Sequence, residues 1–340
     1  MSLFTKESFS KMVEALLLNA HAVMPAGYAN GKVGISLILF ELTKFTKNEY
    51  LEEHAYSLLK EVLSYDITDA SFKHGKAGVA FTIDYLINNE LLDADYNELY
   101  QTEHQSILED IKQIEYVPKN YLKYIDYFFF VNALSNHFTK EELNHYNGIL
   151  SQYINSFLNE NFNVLEIGAY YSFASRLFSI CNSISCIPQS IKRSFVQHIQ
   201  ENEEKFKKQD FICTNPLYPL KKMIYNELNP SLFPQHNNPV TDIIVEYLNV
   251  KEKIDLIYDI YRLYSLNKKY DYRDFAKKVL MSLMNDDVNK QEQILLNTIL
   301  LKDESTFGIE MGLSRILLLH INWESINKGT FQEKTNRLFI

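Results

Sequence analysis

Apolar positions recur at helical spacing along most of the chain. Ala55, Tyr56, Leu58, Leu59, Val62 and Leu63 fall on one face at a period of 3.6 residues. Leu256, Ile257, Ile260, Leu263 and Tyr264 do the same, as do Ile294, Leu295, Ile299 and Leu300. Other stretches are apolar nearly all round, at 35–40, 127–131 and 316–319. A helix with no polar face is buried on most sides. Two helix populations therefore alternate, one amphipathic and one nearly fully buried. No run of strand-like alternation separates them, so the pattern predicts an all-α chain.

The glycines mark where the buried helices begin. Gly27-Tyr-Ala-Asn-Gly31-Lys-Val-Gly34 opens one of them. Ser71-Phe-Lys-His-Gly75-Lys-Ala-Gly78 repeats the layout with Ser in the first slot, and Gly308-Ile-Glu-Met-Gly312-Leu-Ser-Arg315 repeats it with Arg in the last. Glu166-Ile-Gly168-Ala-Tyr-Tyr171 keeps only the central Gly. Self-similarity of this kind is the signature of a repeat architecture. The central glycines stand at 31, 75, 168 and 312, at intervals of 44, 93 and 144 residues. Those intervals accommodate seven units, with degenerate ones near 121–133, 215–225 and 254–266. Each unit is an outer amphipathic helix followed by an inner buried one, and the chain is expected to form a single domain over 1–340. Glycine suits crowded helix starts because a missing side chain lets backbones approach. The rim of helix N-termini carries spare N–H groups and the positive dipole end. Gly31, Gly75, Gly168, Gly312 and Arg315 on that rim are candidates for binding an anionic or peptide-carbonyl ligand.

Composition narrows the classes. Only 10 glycines occur in 340 residues, against roughly 24 at average usage, which fits a chain with few β-turns. Thirty-four Lys+Arg against 43 Asp+Glu give a net charge of −9. That balance opposes broad nucleic-acid binding and docking on an anionic membrane. No apolar run reaches spanning length and no signal-like N-terminus is seen, so the expected compartment is cytoplasmic. Three cysteines, Cys181, Cys186 and Cys213, make no disulfide framework. Five of the eight prolines fall in 214–239, read as a long loop around a short helix.

Candidate chemistry lies at the helix starts. His74 directly precedes Gly75, where an imidazole suits a general base or a metal ligand. Tyr171 and Arg176 begin another inner helix. Tyrosine can act as an acid, and a buried Arg176 needs a partner. Lys32 and Lys76 fill equal slots in two repeats, where they bind anions or point to solvent. Glu142-Leu-Asn-His145 has one Glu-x-x-His spacing, but a di-iron site needs two, so a solvated helix face is expected. Paired carboxylates for a sugar-cleaving (α/α) barrel are not placed at the rim, since Asp84 and Asp126 lie along helices.

The turns at 27–34, 71–78 and 308–313, with Tyr85-Leu-Ile-Asn-Asn-Glu-Leu-Leu-Asp-Ala-Asp95 after the second, resemble the lanthionine synthetase C-like cyclases. Motif similarity is concentrated in 24–95 and 305–320. The resemblance implies an (α/α) toroid, a double α-barrel of seven helical hairpins. It implies closure of thioether rings in a ribosomally made peptide, by addition of a cysteine thiol to a dehydroamino acid. It also implies a zinc held by one Cys and a Cys-His pair. The sequence departs there. Cys213 is the sole match in 211–216, 255–258 holds no Cys, His or Gly, and Glu166-Ile-Gly168 lacks the family's His. The expectation is therefore a divergent, zinc-independent cyclase without cofactor, with His74, Tyr171 and Arg176 as catalytic residues and Cys213 as the single weak metal candidate. Its expected partners are a peptide substrate or leader peptide and a dehydratase or other modifying enzyme. The alternative is a non-catalytic scaffold that binds the peptide or a partner in the same kind of pathway.

Overall fold

The computed structural model describes residues 5–113, 122–161 and 312–327, together with isolated positions between 177 and 309. Gly168, Tyr171, Arg176, Cys213, Gly308, the 215–225 unit and the Pro-rich stretch 214–239 lie outside the described residues. Among the described residues every regular element is helical. The chain divides into two compact bodies, residues 1–112 with 284–340, and residues 113–283.

In the first body, α1 (Lys6–Ala20) opens on Thr5, whose hydroxyl accepts from the Ser8 N–H at 3.1 Å. Its buried positions, Ser8, Met12, Leu16 and Ala20, recur every fourth residue and make one stripe. The next helix, α2 (Lys32–Thr46), is buried at every position from Lys32 to Leu42. It ends where Lys47 takes a left-handed conformation at φ 58°. Asn48 then caps α3 (Glu49–Leu63), accepting from the Tyr50 N–H. The face of α3 carrying Leu51, Ala55, Leu58, Leu59 and Val62 is buried. Small Ala55 lets α2 close in, and the buried Ser36 hydroxyl donates to the Ala55 carbonyl at 2.7 Å. The pair repeats as the buried α4 (Lys76–Asn88) and the amphipathic α5 (Tyr96–Lys112). Outer and inner helices thus alternate as the periodicity predicts.

Two equivalent glycines explain the tightness of the turns. A Cβ on Gly34 would stand 2.0 Å from the Tyr28 carbonyl oxygen, and one on Gly78 would stand 2.1 Å from that of Phe72. Each helix therefore folds back onto its own turn in a way any side chain would block. The same glycines receive a neighbour's residue. A Gly78 Cβ would lie 2.7 Å from Tyr28 Cβ, and a Gly34 Cβ 3.4 Å from Ile309 Cγ2. Tyr28 and Ile309 hold the same slot of their respective turns. The last motif thus packs on the first as the first packs on the second.

That last motif leads into α8 (Leu313–Asn327). It is buried from Leu313 to Trp323, apart from a partly buried Arg315. His320 packs between Phe9 of α1 (centroids 4.7 Å) and Phe45 of α2 (6.0 Å).

In the second body, α6 (Leu122–Ala133) buries Ile125, Phe128, Phe130 and Val131, where the spacing predicts a degenerate inner helix. After a 3₁₀ turn at Ser135–His137 comes α7 (Lys140–Leu158). Its N-terminus is a capping box: the Thr139 N–H donates to Glu142 Oε2 at 2.8 Å, and the Glu142 N–H to Thr139 Oγ1 at 3.2 Å. The Glu-x-x-His spacing at 142–145 is therefore a helix start, with His145 exposed.

Candidate functional site

The candidate site in the first body is the set of helix starts at Gly31, Gly75 and Gly312. Gly31 and Gly75 are N-caps in extended conformation, with no side chain capping either helix. Their first N–H groups are taken up by the turns. Lys32 N–H donates to the Pro25 carbonyl at 2.9 Å and Val33 N–H to Ala26 at 3.1 Å. Lys76 N–H donates to the Asp69 carbonyl at 2.8 Å, 44 residues beyond Pro25. The two turns are also joined directly, with Ala29 N–H donating to the Lys73 carbonyl at 2.8 Å. Asn30 and His74, each just before a cap glycine, are brought to one end of their helices. His74 is exposed, and its N–H donates to Ser71 Oγ at 3.3 Å. Ser71 in turn is held by Asp69, which accepts from its N–H at 2.7 Å and its hydroxyl at 2.9 Å. His74 thus sits on a rigid turn with its ring accessible.

The equal-slot lysines turn neither to solvent nor to a free anion site. Lys32 is buried at 2% exposure and pairs with Glu61 of α3. It also donates to the Tyr65 hydroxyl at 2.9 Å, which donates onward to Glu61 Oε1 at 2.6 Å. His21 Nδ1 lies 3.4 Å from the other Glu61 oxygen. The Lys32 and Tyr65 hydrogen bonds hold the Glu61 carboxyl down at about 2, against a partial burial that would raise it. Burial pulls Lys32 the other way, but its bonds to Glu61 and Tyr65 and the Glu61 charge outweigh it, and its pKa rises. Lys76, in the second repeat, reaches Ser106 Oγ at 3.2 Å. Both lysines thus tie an inner helix to the outer helix that follows it.

Arg315 is in the first turn of α8. Its N–H donates to the Gly312 carbonyl at 3.1 Å. Its positive charge reaches Tyr28, whose hydroxyl is pushed well above its usual range by burial, with Arg315 opposing. Gly312, Arg315 and the first turn are therefore neighbours in space.

Among the described residues, the buried polar groups outside the motifs include Glu41 and Asn322. Glu41, deep in α2, accepts from the Tyr85 hydroxyl at 2.8 Å. Burial raises its pKa, against the Tyr85 bond and the Lys44 charge. Asn322 of α8 is 1% exposed, and its Nδ2 has no hydrogen-bond partner. The one available signal was a polar letter among apolar neighbours on an inner helix. Among the described residues no cluster of three His, Cys, Asp or Glu side chains is placed to hold a metal, and no helix is long and apolar enough to cross a membrane.

Residues 16–129 match a family model described as lanthionine synthetase C-like protein. No curated protein matches the chain. Among solved structures it is similar to one named nisin cyclase, with a TM-score of 0.67 and 15% identity, covering 98% of each chain. At that identity the likeness speaks for the fold, the (α/α) toroid.

Proposed function

From the premise that this chain is a member of the lanthionine synthetase C-like family, we propose that it closes thioether rings in a ribosomally made peptide without zinc. The reaction adds a cysteine S–H across the double bond of a dehydroalanine or dehydrobutyrine. The S–Cβ bond forms, the π pair moves to the carbonyl as an enolate, and Cα takes a proton. His74 accepts the thiol proton, Arg176 steadies the enolate oxygen and Tyr171 supplies the Cα proton. His74 is the one of these three among the described residues, and its exposed ring on a braced turn is compatible with a base that meets a peptide. The substrate reaches it after a dehydratase has made the acceptor, which favours a cytoplasmic site of action.

A single observation carries the zinc-independent form. The resemblance puts a Cys-His ligand pair at 255–258. Leu256, Ile257 and Tyr258 there are helical and buried, at 0%, 0% and 5% exposure. Their apolar side chains offer no thiolate or imidazole, so the zinc does not fit these residues and no step is routed through it.

The same observation favours a second reading, a scaffold that holds the peptide for a partner enzyme. The two separate in one experiment. A synthetic peptide with one dehydroalanine and one cysteine is incubated with the protein in EDTA, and free thiol is counted by maleimide labelling and mass spectrometry. Protein-dependent thiol loss, reduced at least about tenfold in His74→Asn, is the expected result. Binding with full thiol retention would replace the cyclase by the scaffold.

A further inference from the structure

Single exposed apolar side chains are ordinary on a protein surface, but a contiguous patch of them marks a contact site. Among the described residues five large apolar side chains are exposed: Leu18, Met24, Tyr50, Tyr65 and Leu99. Four of them gather on one face of the first body. Tyr50 and His54, one turn apart on α3, meet with ring centroids 4.6 Å apart. The His54 ring lies 5.8 Å from that of His21, at the end of α1. His21 Nδ1 is 3.4 Å from Glu61 Oε2, and the Tyr65 hydroxyl donates to Glu61 Oε1 at 2.6 Å. Side-chain contacts thus run unbroken from Tyr50 through His54, His21 and Glu61 to Tyr65. Leu18, at 83% exposure, stands one turn before His21, and Met24, at 75%, three residues after it.

Neither helix needs these side chains for its own packing. The core side of α1 is the stripe Ser8, Met12, Leu16 and Ala20, and Leu18 lies roughly 140° round the axis from it. The core side of α3 is Leu51, Ala55, Leu58, Leu59 and Val62. Charge around the patch indicates what would cover it. Glu14 stands one turn before Leu18, Glu49 directly before Tyr50 and Glu53 directly before His54. Among the described residues no ion pair holds Glu14, Glu49 or Glu53. Glu49 also suits a helix start, whereas Glu14 and Glu53 stand beyond the first turn of their helices. The cations of the two helices are Lys6, Lys11 and Lys60, and Lys11 is held by Glu7 at 2.8 Å.

We propose that the face carrying Leu18, Met24, Tyr50 and Tyr65 is a docking surface for a cationic amphipathic segment of another protein. An apolar centre with an acidic rim is complementary to an apolar stripe edged by lysine or arginine. A second copy of this chain would set acid against acid across a two-fold contact. An anionic membrane would be repelled in the same way. The inference stands apart from the chemistry proposed above, since a cyclase and a scaffold could each use such a surface.

The test uses the full chain and a fluorescein-labelled synthetic helix of leucine and lysine, with the leucines on one face, read by anisotropy. The same helix with glutamate for lysine is the charge control. Wild type is expected to bind the lysine helix and not the glutamate helix. Leu18→Ser with Tyr50→Ser, and separately Glu14→Lys with Glu53→Lys, should each weaken binding about tenfold. Leu99→Ser, at the exposed leucine of α5, should leave it unchanged. All these positions are exposed, so melting temperatures should stay near wild type. Should the serine pair not fold, the lysine pair decides alone. Unchanged binding in the patch variants would overturn the inference. So would an equal loss in Leu99→Ser, or failure of wild type to bind the lysine helix. A wild-type dimer in sedimentation that the serine pair dissolves would also overturn it, and would give the face to a second copy.

Discussion

The Tyr85 hydroxyl donates a 2.8 Å hydrogen bond to Glu41 across 44 residues, the same interval that separates Gly31 from Gly75. The two residues hold equivalent places in successive inner helices. A carboxyl from one repeat is thus answered by a phenol from the next, between two helices whose buried positions are mostly apolar.

Glu41 should make the protein less stable as pH rises. Its carboxyl is raised above its ordinary value mainly by burial. The folded state therefore binds more protons than the unfolded one above the ordinary carboxylate range, and stability falls as pH climbs through the folded value. Glu41→Gln keeps an oxygen for the Tyr85 hydroxyl and removes the titration. Melting temperatures of the variant should exceed wild type at pH 8 and converge with it at pH 4. Equal curves at both pH values would mean Glu41 is ionised at no cost.

The Lys32–Glu61 pair should respond asymmetrically to mutation. Lys32 is almost wholly buried, whereas the Glu61 side chain is 34% exposed. Glu61→Gln strands a buried cation and should cost about 2–3 kcal/mol, between the surface and fully buried cases. Lys32→Met leaves a carboxylate that water can reach and should cost less. The pair's stabilisation is present above the ordinary carboxylate range and is lost as pH falls towards about 2. Urea melts between pH 2 and pH 6 would read this loss in wild type and show it flattened in Glu61→Gln.

Two glycine-to-alanine changes should move in opposite directions. Gly78 has the Phe72 carbonyl and Tyr28 Cβ in the space a methyl group would need. Gly78→Ala should cost at least ~3 kcal/mol, at the upper end of single-site effects. Gly148, inside α7, has nothing within 4 Å of a built Cβ. Gly148→Ala should gain up to ~1 kcal/mol from helix propensity alone. Denaturant midpoints of the two variants would show whether the first glycine is kept for contact and the second is not.

Much of this arrangement is legible in the letters. The stripe at Ala55, Leu58, Leu59 and Val62 is an outer face, and 35–40 is buried all round, as helical periodicity requires. The glycines at 31, 75 and 312 do begin inner helices. Local pattern carries this much because a helix chooses its buried side by the spacing of its own apolar residues. The fate of Lys32 and Lys76 was not legible. Equal slots in two repeats say nothing about Glu61 or Ser106, which approach from helices that begin 17 and 20 residues further on.

The chain's own order of residues determined the helical class, the alternation of inner and outer helices and the turns that start them. It did so because turn geometry and amphipathic spacing act over a few neighbouring residues. Tertiary structure decided which polar groups are answered and which are not. Lys32 finds Glu61, Glu41 finds Tyr85 and Asn322 Nδ2 has no hydrogen-bond partner. Pairing of that kind depends on the distance between side chains from helices remote in sequence, and only packing sets it.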